Sequence, residues 1–150
     1  MILCLDSSAL VKRYLVEVGS EIVSALVDAS ESVATAGISH VEVIGAFAKA
    51  ARLGNISNED ATTARHLFET EWPDFLQIPT DERLVRRAAN LAWDLRLRGY
   101  DAVQLASAAT LQDLLSEPIG FVTFDRHLWS AAKATEVTAL PVDLPTLLDS

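Results

Sequence analysis

Asp6, Glu42, Asp101 and Asp125 sit in local contexts that could gather their carboxylates at one edge of a fold. Carboxylates held close together raise one another's pKa and repel unless a cation offsets them. Hard oxygen donors of this kind suit Mg²⁺ or Mn²⁺, which accept few carboxylates and keep waters that a phosphate can replace. The chemistry open to such a set is metal-assisted hydrolysis, in which bound water becomes easier to deprotonate and charge on phosphate oxygens is stabilised.

Each acid also has a plainer reading. Glu42 falls three residues after Ser39, so Ser39-His40-Val41-Glu42 fits a helix capping box. Asp101 fits an acid favoured by a helix N-terminal dipole. Asp6 and Asp125 each follow an apolar run, where Asp often makes a turn or a cap. No single acid decides between these readings. The set of four favours the metal site.

The elements that must position these acids follow from apolar periodicity and from Gly, Pro and Ser punctuation. Residues 2–5 form a short apolar run with the character of a buried strand, ending at Asp6. Ser7 or Ser8 can cap a short helix reaching Tyr14. Gly19-Ser20 opens a helix to Ala29, with Ile22, Val23, Leu26 and Val27 at helical spacing. Residues 32–35 read as a second strand, and Gly37 turns the chain. Ser39 starts a long helix that stops at Gly54-Asn55, and Ser57 begins another that ends near Trp72-Pro73. Residues 75–78 read as a third strand between Pro73 and Pro79. Thr80 caps a helix to Arg98, stopped by Gly99, and Asp101 begins a further helix to Leu115. Residues 121–124 read as a fourth strand ending at Asp125, followed by a helix to Thr135 and a short strand within 137–142.

Short apolar strands alternating with helices predict a three-layer α/β/α sandwich with a mainly parallel central sheet. In such sheets ligands bind beyond the carboxyl ends of the strands, where the strand order reverses. The ends of the first and fourth strands carry Asp6 and Asp125.

The 150 residues fit one domain, 1–150, and a chain of about this length buries roughly 68–70% of its unfolded surface. Half the residues are hydrophobic, yet no run approaches the ~18 apolar residues of a membrane span. The N-terminus lacks the positive region of a signal peptide. Cys4, the only cysteine, excludes an intrachain disulfide and suits a reducing compartment, so a cytoplasmic protein is expected. Its apolar surroundings make it a buried small hydrophobe rather than a nucleophile.

The net charge of −9 argues against a general nucleic-acid binder, which needs clustered Lys and Arg. Acids around a metal, however, count toward net charge while the ion offsets them locally. Lys12 adjoins Arg13, and Arg83, Arg86, Arg87, Arg96 and Arg98 share one segment. That segment reads either as a solvated helix face or as a holder of phosphates.

His40, His66 and His127 lack zinc-site spacing and suit surface or packing roles. Trp72, Trp93 and Trp129 are expected in the core or a dimer interface rather than as base-stacking platforms. Leu91, Ala92, Leu95 and Leu97 would extend such an interface. Gly45, three residues past Glu42, is expected to permit close packing near it.

Four segments together carry a family resemblance. They are Leu5-Asp6-Ser7-Ser8-Ala9-Leu10-Val11-Lys12, Ser39-His40-Val41-Glu42-Val43, Arg98-Gly99-Tyr100-Asp101-Ala102-Val103-Gln104-Leu105-Ala106 and Val122-Thr123-Phe124-Asp125. In order and interval they resemble the PIN domain in its VapC-type toxin form, across essentially the whole chain. The resemblance implies a metal-dependent ribonuclease with a parallel sheet between helices and Mg²⁺ or Mn²⁺ as cofactor. It implies that Asp6, Glu42, Asp101 and Asp125 form the acidic, metal-binding site, with Ser8 and Thr123 as supporting hydroxyls. Asp6 and Asp101 are favoured as direct ligands, with Glu42 and Asp125 binding directly or through water.

The resemblance further implies a structured RNA substrate, a homodimer and a small cognate antitoxin whose tail covers the site. Many members of the family carry histidine where this chain has Gln104, so no catalytic duty falls to that position. Among rival readings, an aspartate-dependent phosphatase would need a second acid at the position of Ser8. A phosphate-accepting receiver would need a late lysine at a strand end, whereas Lys133 falls within a helix. A PIN scaffold without catalysis, acting by protein binding alone, is disfavoured by the complete acid set.

Overall fold

Alternation of side chains along five short strands organises the structure, a computed structural model describing Met1–Ser150. Strands β1 (Ile2–Leu5), β2 (Val33–Ala36), β3 (Leu76–Ile78), β4 (Ile119–Val122) and β5 (Thr138–Leu140) form one sheet in the order β3-β2-β1-β4-β5. Every neighbouring pair is parallel, so the sheet is wholly rather than mainly parallel.

The helices are α1 (Ser7–Val11), α2 (Ser20–Asp28), α3 (Ser39–Arg52), α4 (Asn58–Glu71), α5 (Glu82–Leu95), α6 (Gly99–Leu115), α7 (Arg126–Lys133) and α8 (Leu144–Asp149). Because successive strand side chains face opposite ways, the sheet divides the core in two. Leu3, Leu5 and Val122 pack with Ala9, Leu10, Val43, Phe47, Ala64 and Phe68 from α1, α3 and α4. Cys4, Ala34, Ile78, Ile119 and Phe121 pack with α5, α6 and α7 on the other face. The three layers expected from the sequence are present. Cys4 is wholly buried, and burial, aided by the Asp6 charge, pushes its thiol up to about 12, as suits an inert hydrophobe.

The chain steps outward from β1 to β2 and β3, then returns to place β4 on the other side of β1. The β1–β4 junction is therefore the point of reversal at which open parallel sheets bind ligands. Leu5 pairs with Val122, so the two strands end level.

Several boundaries differ from the sequence expectation. Asp6, not Ser7 or Ser8, caps α1. Asp81, not Thr80, caps α5 by accepting the Leu84 N–H at 2.9 Å. That helix ends at Leu95 because Arg96 turns left-handed at φ 57°, and Gly99 opens α6 instead of stopping α5. β4 begins and ends two residues early, which leaves Thr123 and Phe124 to carry the chain over the sheet edge. α8 was not expected, although Asp143 as cap and the spacing of Leu144, Leu147 and Leu148 are helix signals. No helix is long and apolar enough to cross a membrane.

Packing expectations also shift. Trp129 is buried and Trp72 stacks on His40 at 4.6 Å, but Trp93 is 73% exposed beneath the Arg96 guanidinium. Leu97 is buried, and Leu91, Ala92 and Leu95 are partly buried against the same core cluster. A Cβ at Gly45 would meet nothing within 4 Å, so no close approach depends on that glycine. Gly120, in the middle of β4, is the crowded one. A Cβ there would lie 2.7 Å from Leu3 Cδ2 and 2.8 Å from Leu140 Cδ1. Gly120→Val is expected to destabilise by about 1–3 kcal/mol through overpacking. An unchanged urea midpoint would contradict that expectation.

Candidate active site

β1 delivers Asp6 to the sheet edge, where it is 4% exposed. Its Oδ1 accepts the Ala9 N–H at 2.9 Å and the Ser8 hydroxyl at 2.7 Å, and its Oδ2 accepts the Thr123 hydroxyl at 2.5 Å. The first of these bonds caps α1, so the plain reading and the site reading hold together at this residue. Ser8 Oγ also accepts the Phe124 N–H at 3.0 Å, and Thr123 Oγ1 accepts the Asp125 N–H at 3.1 Å. The two hydroxyls thus bind the end of β1 to the end of β4. Burial pushes the Asp6 carboxyl up to about 6, outweighing its three hydrogen bonds, and the Asp101 charge adds to the rise.

Glu42 lies in the first turn of α3, but the capping box expected there does not form. The N-cap is Ile38, without a side-chain cap. Ser39 is instead drawn inward, its Oγ 2.7 Å from Thr35 Oγ1 and 3.0 Å from Gln104 Nε2. Freed from the cap, the Glu42 carboxylate accepts at Oε1 from Ser7 Oγ and from Gln104 Nε2, both at 2.7 Å.

Asp101 sits in the first turn of α6 and Asp125 caps α7, accepting the Leu128 N–H at 2.8 Å. Arg98 lies between them, its Nε 3.4 Å from Asp101 Oδ2 and its Nη2 3.7 Å from Asp125 Oδ2. The Asp101 carboxyl is raised above its ordinary value by burial and then by the Asp125 charge, against the pull of Arg98, with Glu42 adding a smaller push. Charge repulsion therefore links all four acids, Asp6 to Asp101 and Asp101 to Asp125 and Glu42. The Arg98 side chain is 84% exposed, so solvent weakens its two contacts and it offsets little of that repulsion.

The structure thus brings together every acid singled out from the sequence, with Ser8 and Thr123 beside Asp6. It adds Ser7, weighed from the sequence only as a helix cap, and Gln104, to which no catalytic duty was assigned from the sequence. The available signal was position: Ser7 adjoins Asp6, and Gln104 falls one helical turn after Asp101. A cavity of about 690 Å³ opens beside Glu42, Arg98 and Asp101, lined further along by Val85 and Ala89 of α5. The other arginines divide: Arg86 pairs with Glu82 and Arg87 with Asp113, as on a solvated face, while Arg98 belongs to the acid site.

No three of these acidic groups crowd together closely enough to enclose an ion on their own. Mg²⁺ and Mn²⁺ do not require such a cage, since one or two carboxylates with retained waters suffice. The donor set fits such an ion: four carboxylates, hard oxygens throughout, a raised pKa on Asp6 and Asp101, and one loosely held guanidinium as the local countercharge.

Residues 3–134 match the family model described as PIN domain. The chain belongs to the PIN-domain family. Ribonuclease VapC49 of Mycobacterium tuberculosis (strain ATCC 25618 / H37Rv) is 31% identical to this PIN domain over 139 residues, 93% of this chain and 94% of the relative. Among solved structures, FitAB bound to an IR36 DNA fragment superposes with a TM-score of 0.68 at 19% identity, covering 93% of this chain and 94% of that one. VapBC-5 of Mycobacterium tuberculosis, a member of the VapBC family of toxin-antitoxin systems, gives 0.61 at 18% identity over 92% and 96%. At those identities the two structures bear on the fold alone. PIN-domain nucleases of the VapC type are metal-dependent in general.

Proposed function

We propose that this PIN-domain protein is a metal-dependent endoribonuclease, the toxin of a toxin–antitoxin pair, with Mg²⁺ or Mn²⁺ held by Asp6, Glu42, Asp101 and Asp125. The observation that carries the reading is the meeting of these four acids at the β1–β4 reversal point with their mutual repulsion left largely uncompensated. The similarity to a protein named as a ribonuclease supports RNA as substrate. The similarity to a VapC-named ribonuclease supports a small antitoxin partner, as expected of the VapC-type form. The lone buried thiol accords with a cytoplasmic protein, and a homodimer completes the reading.

A divalent ion bound here would supply a water more acidic than bulk water and positive charge for the phosphate oxygens. Asp6, anchored by Ser8, Thr123 and the α1 backbone, provides an immobile ligand. Asp101, at the start of α6, provides the second. Glu42 and Asp125 are each tied at one carboxylate oxygen by hydrogen bonds, leaving the other for the ion or its waters. Arg98, held only at 3.4 and 3.7 Å, can release its acids to the ion and turn its fork to an RNA phosphate.

The test compares a labelled structured RNA with para-nitrophenyl phosphate, each with Mn²⁺ and with chelator. RNA cleavage that needs the metal, with no hydrolysis of the small ester, is expected. Ester hydrolysis would favour the aspartate-dependent phosphatase, and inertness toward both would favour a scaffold without catalysis.

The supporting hydroxyl makes a sharper expectation. Thr123→Val removes the donor to Asp6 Oδ2, and loss of such a ligand-orienting partner lowers activity by about 10–100-fold. Initial rates on the same RNA check this. Undiminished rates would remove Thr123 from the site.

A further inference from the structure

Gln104 is 2% exposed inside the core, an uncommon place for an amide, and its side chain serves neither sheet nor helix hydrogen bonding. Its Nε2 stands 2.7 Å from Glu42 Oε1, 3.0 Å from Ser7 Oγ and 3.0 Å from Ser39 Oγ. Its Oε1 lies only 3.4 Å from Ser39 Oγ. The chemistry sets the orientation of the amide, because a flip would place a carbonyl oxygen against the Glu42 carboxylate. Two amide hydrogens face three oxygens, and the ionised one takes the shortest contact.

The contacts continue from Ser39 to Thr35 Oγ1, which donates to the Leu5 carbonyl at 2.8 Å. Leu5 is the residue before Asp6, so one buried polar chain joins the base of Asp6 to Glu42. Gln104 also lies three residues after Asp101 on α6, on the same helix face. A single helix therefore carries one acid of the site and the clamp on another. Ser7 and Gln104 both act on Glu42 Oε1, and Oε2 has no protein donor.

We propose that Gln104 is a positioning residue that pins Glu42 Oε1 and so presents Oε2 to the divalent ion, a role that rests on the metal-dependent reading above. A neutral amide suits the task. It orients the carboxylate without cancelling the charge that attracts the ion, as a buried cation would.

Mn²⁺ binding to the metal-free protein, measured by titration calorimetry, tests the role directly on wild type, Gln104→Met, Glu42→Gln and the double variant. Gln104→Met is expected to weaken Mn²⁺ binding by about 10–100-fold, and to lower kcat for RNA with KM unchanged. The double variant should bind no more weakly than Glu42→Gln alone, because the clamp acts only through Glu42. Wild-type-like Mn²⁺ binding in Gln104→Met, or losses that simply multiply in the double variant, would overturn the proposal. Gln104→Asn, too short to reach Glu42 but still polar, reads the same constants if Gln104→Met fails to fold. Absence of Mn²⁺ binding by the wild type would instead overturn the metal-dependent reading, and this role with it.

Discussion

Asp6→Asn is expected to lower RNA cleavage by more than about 100-fold, beyond what loss of a merely ligand-orienting group produces, while the metal-free protein becomes no less stable. The two effects should separate because Asp6 caps α1 and, in the proposed site, also holds the ion. As a helix cap it needs only a side-chain oxygen for the Ala9 N–H, and asparagine caps about as well as aspartate. As a ligand it needs negative charge, which asparagine lacks. Burying that charge is unfavourable, as its carboxyl pushed up to about 6 records. Removing it relieves the fold and disables the site, the trade expected of a functional group. The measurements are cleavage rate and thermal midpoint on the same preparation at neutral pH. A fall in both together would make Asp6 a structural cap, and unimpaired cleavage would end its role as a ligand.

Without metal, the wild type should lose stability as pH rises from about 4 to above 6, relative to Asp6→Asn. The folded state binds the Asp6 proton more tightly than the unfolded chain, whose carboxyl has the ordinary value of 3.8. The contribution of this group is therefore most favourable below the unfolded value and lost as pH passes the folded one. Its size is up to about 3 kcal/mol; Asp101, raised in the same direction, acts in both proteins and drops out of the comparison. A divalent ion reverses the penalty. At a hundred times its Kd it contributes about 2.7 kcal/mol, or a rise in midpoint of about 5–11 °C for a chain of this size. Calorimetric scans at pH 5 and pH 7.5, with and without Mn²⁺, would show the larger shift at pH 7.5. Equal midpoints with and without Mn²⁺ at pH 7.5 would rule out a metal site built on these acids.

Much of this arrangement was legible along the chain. Apolar runs ending in Asp6 and near Asp125 announced strand ends, and in a parallel sheet strand ends share an edge. Alternation of strands and helices was enough for the layers, because each short apolar strand must be covered on both faces. Boundaries were less legible. Thr80 and Asp81 are both good caps, and only the φ and ψ adopted there chose between them. Arg96 entered a left-handed turn that favours glycine, while Gly99 nearby took an ordinary helical place.

The sequence by itself determined the four acids, the layered parallel fold and, through linked motifs, the family, since these depend on residue type and local spacing. Only the tertiary structure decided what each acid is bonded to. The pattern Ser39-His40-Val41-Glu42 promised a local cap, yet Ser39 turned to Thr35 and Gln104, and Glu42 was left to Ser7 and Gln104. Those partners are 35 and 62 residues away from Glu42 in the chain. A hydrogen bond forms wherever a buried donor and acceptor meet, and no periodicity records such a meeting. Gln104 carried no charge and stood where many relatives have histidine, so its place beside a carboxylate became visible only when its amide met Ser39 and Glu42 of α3.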